Sequence, residues 1–508
     1  MRLSWVGMVL AALIGTNQVV AEVSREGQKM KRCAVSVDTI RVEAPFDMPL
    51  LEVPVFPDSD FVITAYGAEE GGSADCTRAI ADAVAACHEA GGGRVVVPAG
   101  RWLTGPVHLK SYVDLHIEEG ATLVFKGDPE SYLPAVRSSW EGMECYNYSP
   151  LIYAFECTDV AVTGRGTLSP VMDVWAKWFT RPATHMAALK ELYTMAAEGV
   201  PVERRQMARG ENNMRPHFLQ FNRCRRVLVE DVKIRNSPFW TIHLLLCDGA
   251  VVRRVDIRAH GHNNDGVDPE MSRNVLIEHC IFDQGDDAIA IKSGADRDGR
   301  RLNTPTENLV MRHCTMRNGH QLVAIGSELS GGIRNVYVHD CVFENEPDDR
   351  PQNLMFIKTN VRRGGYVENV WLENITANST RYGVLGVDTD VLYQWRDLVP
   401  TYEEVLTRIE GIHVRNIRLG ECAVPFRLLG DARLPIRDVE IENVVVGKVT
   451  GEPRVYKNAE NVREILRVPN RLHKWYPYAD EPPEVYCQTL ERQDAIRKIK
   501  MSEWCRNC

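Results

Sequence analysis

Eight times between Val227 and Val446 the chain repeats one short pattern, apolar-x-apolar-x-x-apolar-x-apolar, and this repeat constrains the fold more than any other feature. The copies begin at Val227, Ala250, Val275, Leu309, Val336, Val370, Ile412 and Val439, at spacings of 23, 25, 34, 27, 34, 42 and 27 residues. A floor near two dozen residues with occasional insertions fits one coil of a parallel β-helix carrying loops on some turns. No coil can bury its apolar face alone, so neighbouring coils share one core, with strands about 4.8 Å apart. A β-sandwich or jelly roll does not require copies in such regular register. The reading is therefore an all-β solenoid.

The ends of the repeat read differently. Residues 75–90 place Ile80, Val84 and Cys87 at helical spacing and stop at Gly91-Gly92-Gly93, which predicts a helix covering the open N-terminal end of the solenoid. Ala187, Ala188, Leu189, Leu192 and Met195 predict a helical insertion within Ala183–Arg209. At the start, Arg2 precedes an apolar run from Trp5 to Ile14, and Val19-Val20-Ala21 resembles a cleavage site. Roughly 10 to 12 apolar residues are too few to span a bilayer, so residues 1–21 read as a signal peptide and the protein as exported, periplasmic or secreted. Residues 22–60 then read as an N-terminal extension, 61–458 as the β-helix domain and 459–508 as a tail in which the repeat fades.

Composition narrows the function. With 44% hydrophobic and 25% charged residues the chain is an ordinary globular one. A formal net charge of −9 gives no footprint for nucleic acid, and no later segment reads as a membrane span. Fourteen cysteines invite a disulfide framework, but Cys76 and Cys87 would lie about 16 Å apart along one helix, too far to bridge. Cys280, Cys314 and Cys341 share one inward slot of the repeat, where a free thiol behaves as a small hydrophobe. Cys505 and Cys508 form a terminal C-x-x-C that fits either a disulfide or free thiols.

A β-helix sets the same position of successive coils side by side, so an active site should recur at one position of the repeat. His262-Asn263-Asn264-Asp265-Gly266 occupies one inter-coil turn, Gly285-Asp286-Asp287 the next, and Gly319-His320 the one after, with Lys358 in the following coil. Asp286 and His320 each stand 11 residues after the first anchor of their coil, Val275 and Leu309. Three carboxylates, a histidine and a lysine would converge on one patch of wall. Like charges so placed push at least one carboxyl pKa upward, leaving one acid and one base near neutral pH, which is what glycoside hydrolysis needs.

These elements resemble glycoside hydrolase family 28, the polygalacturonase-like enzymes. Asn263-Asn264-Asp265, Gly285-Asp286-Asp287 and Gly319-His320 match in order, as do Asn236–His243 and the opening Ile63–Ala68, so the resemblance spans residues 40 to 450. It implies a right-handed, pectinase-like β-helix and inverting hydrolysis of an α-linked uronic acid chain such as pectin. By the match, Asp286 is the general acid, Asp265 and Asp287 position and deprotonate the attacking water, and His320 supports the acid. Asn263, His243 and Lys358 are expected on the substrate.

Two departures shape the rest of the reading. The family's Arg-Ile-Lys stands here as Phe356-Ile357-Lys358, so a cation expected to hold a substrate carboxylate is missing. The segment Ala295–Glu307 is a long insertion carrying Arg297, Arg300 and Arg301, and Arg362 and Arg363 follow Lys358. Arginine forks suit carboxylates, so Arg297 and Arg300 are expected to replace the lost cation in a pocket-like site. Such insertions resemble those of exo-acting members, which crop chain ends. Asp296, Asp298 and Gly299 sketch a calcium-like loop, but the remaining ligands do not follow, so neither metal nor cofactor is expected. Alternatives are an endo-acting polygalacturonase or rhamnogalacturonase, a polysaccharide lyase on the same fold, or a carbohydrate-binding β-helix without catalysis.

Overall fold

A computed structural model describes residues 35–345, 350–393 and 395–467. The expected signal peptide and the Cys505–Cys508 pair lie outside the described residues. The eight anchors of the repeat stack as direct parallel partners. Val227 sits on Ala250, and then Val275, Leu309, Val336, Val370, Ile412 and Val439 follow one another in register, each buried. One further strand, Ala459–Arg467, continues the stack on Val439. The fold is a right-handed parallel β-helix.

Each coil contributes strands to two long parallel sheets, of 21 and 11 strands. In one representative coil, Arg273–Glu278 and Ile281–Gln284 belong to the larger sheet and Ile289–Ile291 to the smaller. The corner between the first two is turned by His279 at φ 56°, with Cys280 packed inside it. Cys280, Cys314 and Cys341 do occupy one buried column, and every cysteine among the described residues is a buried free thiol.

Helix α1 (Thr77–Glu89) buries Ala79, Ile80, Ala83, Val84 and Cys87 against the first coils, as its spacing predicts. Ahead of it a hairpin of Ser36–Ile40 and Leu51–Val55 lies on the outer face of the larger sheet. There Val42, Leu51 and Val53 cover an outward apolar stripe of Ala161, Leu228, Val251, Leu276 and Val310. Helix α2 (Ala183–Glu198) is the expected insertion, and α3 (Asp296–Leu302) lies in the second one. With the hairpin Val136–Trp140/Met143–Asn147, α2 and Ala295 just before α3 build a second apolar cluster outside the solenoid core, including Trp140, Leu189, Leu192, Phe239 and Trp240. No helix among the described residues is long and apolar enough to cross a membrane.

The polar residue that often precedes the repeat has a structural task. Asn274, Asn308, Asn335 and Asn369 all adopt left-handed φ of 56–60°, a region in which asparagine is among the better-tolerated side chains. Each side-chain amide donates to the one below, at 3.1 Å, 3.0 Å and 3.3 Å. Replacing Asn335 by alanine severs two links and leaves a strained backbone, so we expect a loss of about 1–3 kcal/mol. Asn335→Gly should recover the strain part, as read from urea unfolding midpoints.

Candidate active site

The acidic residues stand where the turns feed the 11-stranded sheet. Val267, Ile289 and Val323 are direct register partners pointing inward, and the residues two before them, Asp265, Asp287 and Gln321, stand at the matching place of three successive turns. Backbone bonds tie the turns together: Gly266 N–H donates to Asp287 O at 3.0 Å and Ala288 N–H to Gln321 O at 2.9 Å. One residue earlier, His320 N–H donates to Asp286 O at 2.9 Å. This close stacking needs glycine. A Cβ on Gly285 would lie 2.5 Å from Gly261 N, and one on Gly319, at φ 148°, would lie 2.6 Å from Asp286 O.

Side chains then meet across the coils. His320 Nδ1 lies 3.0 Å from Asp286 Oδ1, and Lys358 Nζ lies 3.4 Å from Asp287 Oδ2. Ligand atoms of Asp286, Asp287 and His320 all fall within 4.8 Å of one another. Lys292 Nζ is 3.2 Å from Glu328 and 3.9 Å from Asp265 Oδ2, and it packs 4.5 Å over the Trp240 ring. Asp265, Asp287 and Lys292 are buried, whereas Asp286 is partly open and His320 half-exposed.

Burial sorts the protons. Desolvation, reinforced by Asp286 and Asp268, holds the Asp265 carboxyl well above its ordinary range. Burial also raises Asp287 in spite of Lys358. For Asp286 burial pushes upward too, but the hydrogen bond and charge of His320 outweigh it and the net shift is downward. His320 is correspondingly lifted to about 9 by that hydrogen bond. Burial would raise Glu328 as well, yet Lys292 and Arg363 bring it down to about 2. The free protein therefore carries an Asp286 carboxylate paired with a His320 imidazolium, beside neighbours that favour their protonated forms.

Comparison with known proteins decides the family. The sequence profile of glycosyl hydrolases family 28 matches residues 194–466. The chain belongs to that family. The crystal structure of a hyperthermoactive exopolygalacturonase from Thermotoga maritima superposes with a TM-score of 0.75 at 36% identity, covering 82% of this chain and 93% of that one. A probable polygalacturonase of Vitis vinifera is 28% identical over 387 residues, 73% of this chain and 70% of the relative. An endo-polygalacturonase of Pectobacterium carotovorum is 25% identical over 369 residues, 68% and 81% of the two chains.

Within this family 28 hydrolase, Asp265, Asp286, Asp287, His320 and Lys358 come together. Asn263 stands at their rim, its Oδ1 accepting from Arg215 Nη2 at 3.0 Å. Three expected substrate contacts lie elsewhere. His243 is fully buried between Gln220 and Glu270, at 2.9 Å from each, and stacks on His217. The hairpin Val136–Asn147 roofs that stretch of sheet, with Ser138 on Gln220 and Ser139 on Glu270. Arg297 donates to Ala197 O at 2.7 Å, which fastens α3 to the end of α2. Arg300 donates to the carbonyls of Arg362 and Arg363, both at 2.9 Å, and pairs with Glu403. Arg362 and Arg363 are likewise spent on carbonyls and on Asp296.

Sequence reasoning missed Asp268, Lys292, Arg215, Arg181 and Glu328. A signal existed for two of them. In Val267-Asp268-Pro269-Glu270 the charges alternate along a short strand and so share its outer face, and Lys292 ends the next strand at the matching position. Arg181 and Arg215 stand on either side of the helical insertion, where no repeat marks them.

The Asp286–His320 pair gives a pH-dependent prediction. A histidine raised from an ordinary value near 6.5 stabilises the folded state fully below that value and loses the contribution as pH rises through about 9. In NMR titration the His320 ring should therefore titrate near 9 and drop toward the ordinary value in Asp286→Asn. A ring titrating near 6.5 in the unsubstituted protein would contradict the pairing.

Proposed function

We propose that the protein is an exported, inverting hydrolase that removes galacturonic acid from the ends of pectic chains, homogalacturonan or rhamnogalacturonan. The observation carrying this reading is the 3.0 Å contact of His320 Nδ1 with Asp286 Oδ1, across which the two can share one proton, next to two further carboxyls. In the free protein that proton rests on His320. Protonation of the glycosidic oxygen takes it across the Nδ1–Oδ1 contact, so Asp286 is the acid and His320 its reservoir. Burial raises the Asp265 and Asp287 carboxyls, and whichever of them is ionised is thereby the more basic acceptor for a proton of the attacking water. One water displaces the leaving sugar from the opposite face, which inverts the anomeric centre. Lys358 and Asn263 contribute to holding the sugar.

The exo reading has its own support. The insertion cluster of Trp140, α2, Phe239 and Trp240 stands directly against Lys292 and Arg215, and so walls off one side of the acidic patch. The 36% identical Thermotoga protein is an exopolygalacturonase. The Pectobacterium relative keeps an endo mode as the second reading. Export rests on the apolar segment Trp5–Ile14 and is checked by N-terminal sequencing of the mature protein.

The test is product analysis by chromatography and NMR on oligogalacturonides and rhamnogalacturonan oligosaccharides. Monomeric galacturonic acid, released first as the β-anomer, is the expected product. Asp286→Asn should lower kcat by about 10²–10⁴. Mixed oligomers would establish the endo mode instead, and an α-anomer or an unsaturated product would overturn inverting hydrolysis.

A further inference from the structure

Two polar groups at the walled side of the acidic patch have hydrogen-bonding capacity that no described residue takes up. Arg181 lies between the helical turn Trp175–Trp178 and α2, with its backbone at φ 51°. Its Nη1 donates to His262 Nε2 at 3.2 Å, three residues before Asp265, while its Nη2 is sealed from solvent with no partner among the described residues. Phe179 fixes this segment on the same turn, since a Cβ on Gly261 would lie 2.5 Å from its ring. Behind it, Arg215 donates to His262 O and to Asn263 and is clamped between the Phe179 and Phe239 rings.

From the other side comes Glu141, at the tip of the hairpin Val136–Asn147, with φ 44°. Trp140 beside it is fully buried and stacks on Phe239 at 4.2 Å. Gly142 after it presses on Glu328 and Ala295, where a Cβ would lie 2.9 Å from Glu328 Cγ. Glu328 holds Lys292, which reaches Asp265. The half-buried Glu141 carboxyl makes no hydrogen bond or ion pair among the described residues. Burial raises its pKa, and Arg181 is the cation acting on it most strongly, although no ion pair joins the two.

Shielded polar groups without partners are rare in folded proteins. Here one guanidinium edge, held on His262, and one carboxyl, on the hairpin that presses on Glu328, come together near Asp265, each beside rigid aromatic packing. We propose that Arg181 and Glu141 grip the terminal uronic acid, Arg181 binding its carboxylate and Glu141 accepting from a free hydroxyl of the same ring. A guanidinium fork matches a carboxylate, and a carboxyl on the far side of a pyranose takes the hydroxyl that a continuing chain would have substituted. The pair thus selects an acidic, unsubstituted chain end. The inference rests on the exo reading above.

The experiment is steady-state kinetics of the full chain on trigalacturonate, with Arg181→Ala, Arg181→Lys and Glu141→Gln. Losing a charge-assisted contact should raise KM about 10- to 100-fold in Arg181→Ala, with kcat changed less than about threefold. Arg181→Lys should restore part of the loss. The wild type should prefer trigalacturonate over a trimer with an unsaturated terminal ring, which lacks the end hydroxyl, and Glu141→Gln should erase that preference. Monomer release by the wild type with unchanged KM in Arg181→Lys and Glu141→Gln would overturn the proposal alone. Mixed oligomers from the wild type would overturn the exo reading and the proposal with it. Both conservative variants keep the size of the side chain, so the test survives if Arg181→Ala does not fold.

Discussion

Strand spacing in a parallel stack leaves little freedom: equivalent positions of consecutive coils must sit about 4.8 Å apart. Everything distinctive about this protein follows from what occupies those positions. Inside, the spacing produces columns of valine, isoleucine and cysteine that share one core. At the left-handed corners it produces an asparagine ladder in which each amide satisfies the next. On the outside of the smaller sheet it forces Asp265 and Asp287, and likewise Asp286 and His320, into proximity that isolated loops would relax.

Carboxyls held that close and out of water need compensation. Three cations provide it. Lys292 offsets Glu328 and Asp265, Lys358 offsets Asp287, and His320 offsets Asp286. The pairing is uneven, and the unevenness is chemically useful. Asp286 alone has a histidine as its partner, an imidazolium that holds its proton up to about pH 9 and lies in direct contact with the carboxylate, so it is the carboxyl that can be recharged between turnovers. Lysines on the other acids set the local field without exchanging protons in that range.

The solenoid was legible in the sequence because a period repeated eight times is difficult to produce by another fold, and its anchors proved to be direct strand partners. The acidic patch was legible for the same reason, since its members recur at one position of that period. Legibility ended at the insertions. Arg297 and Arg300 were assigned to substrate on charge alone, and charge does not reveal that a helix end and two turn carbonyls already claim those guanidinium groups. His243 sits on the expected outer face, but the hairpin that roofs it is a tertiary contact from about a hundred residues earlier. Arg181 was invisible for the same reason, because its neighbour His262 is distant in the chain.

Solenoids are held together mainly by contacts between neighbouring coils, which allows them to open at any weak junction. The N-terminal hairpin changes that mechanics. Its apolar side rests on Ala161, Leu228, Val251, Leu276 and Val310, which belong to five successive coils. Prising any two of those coils apart must also peel the hairpin from the remaining three. It therefore works as a lengthwise splint that makes a segmented stack yield as one body, and the braced span includes the coils bearing Asp265, Asp286 and Asp287.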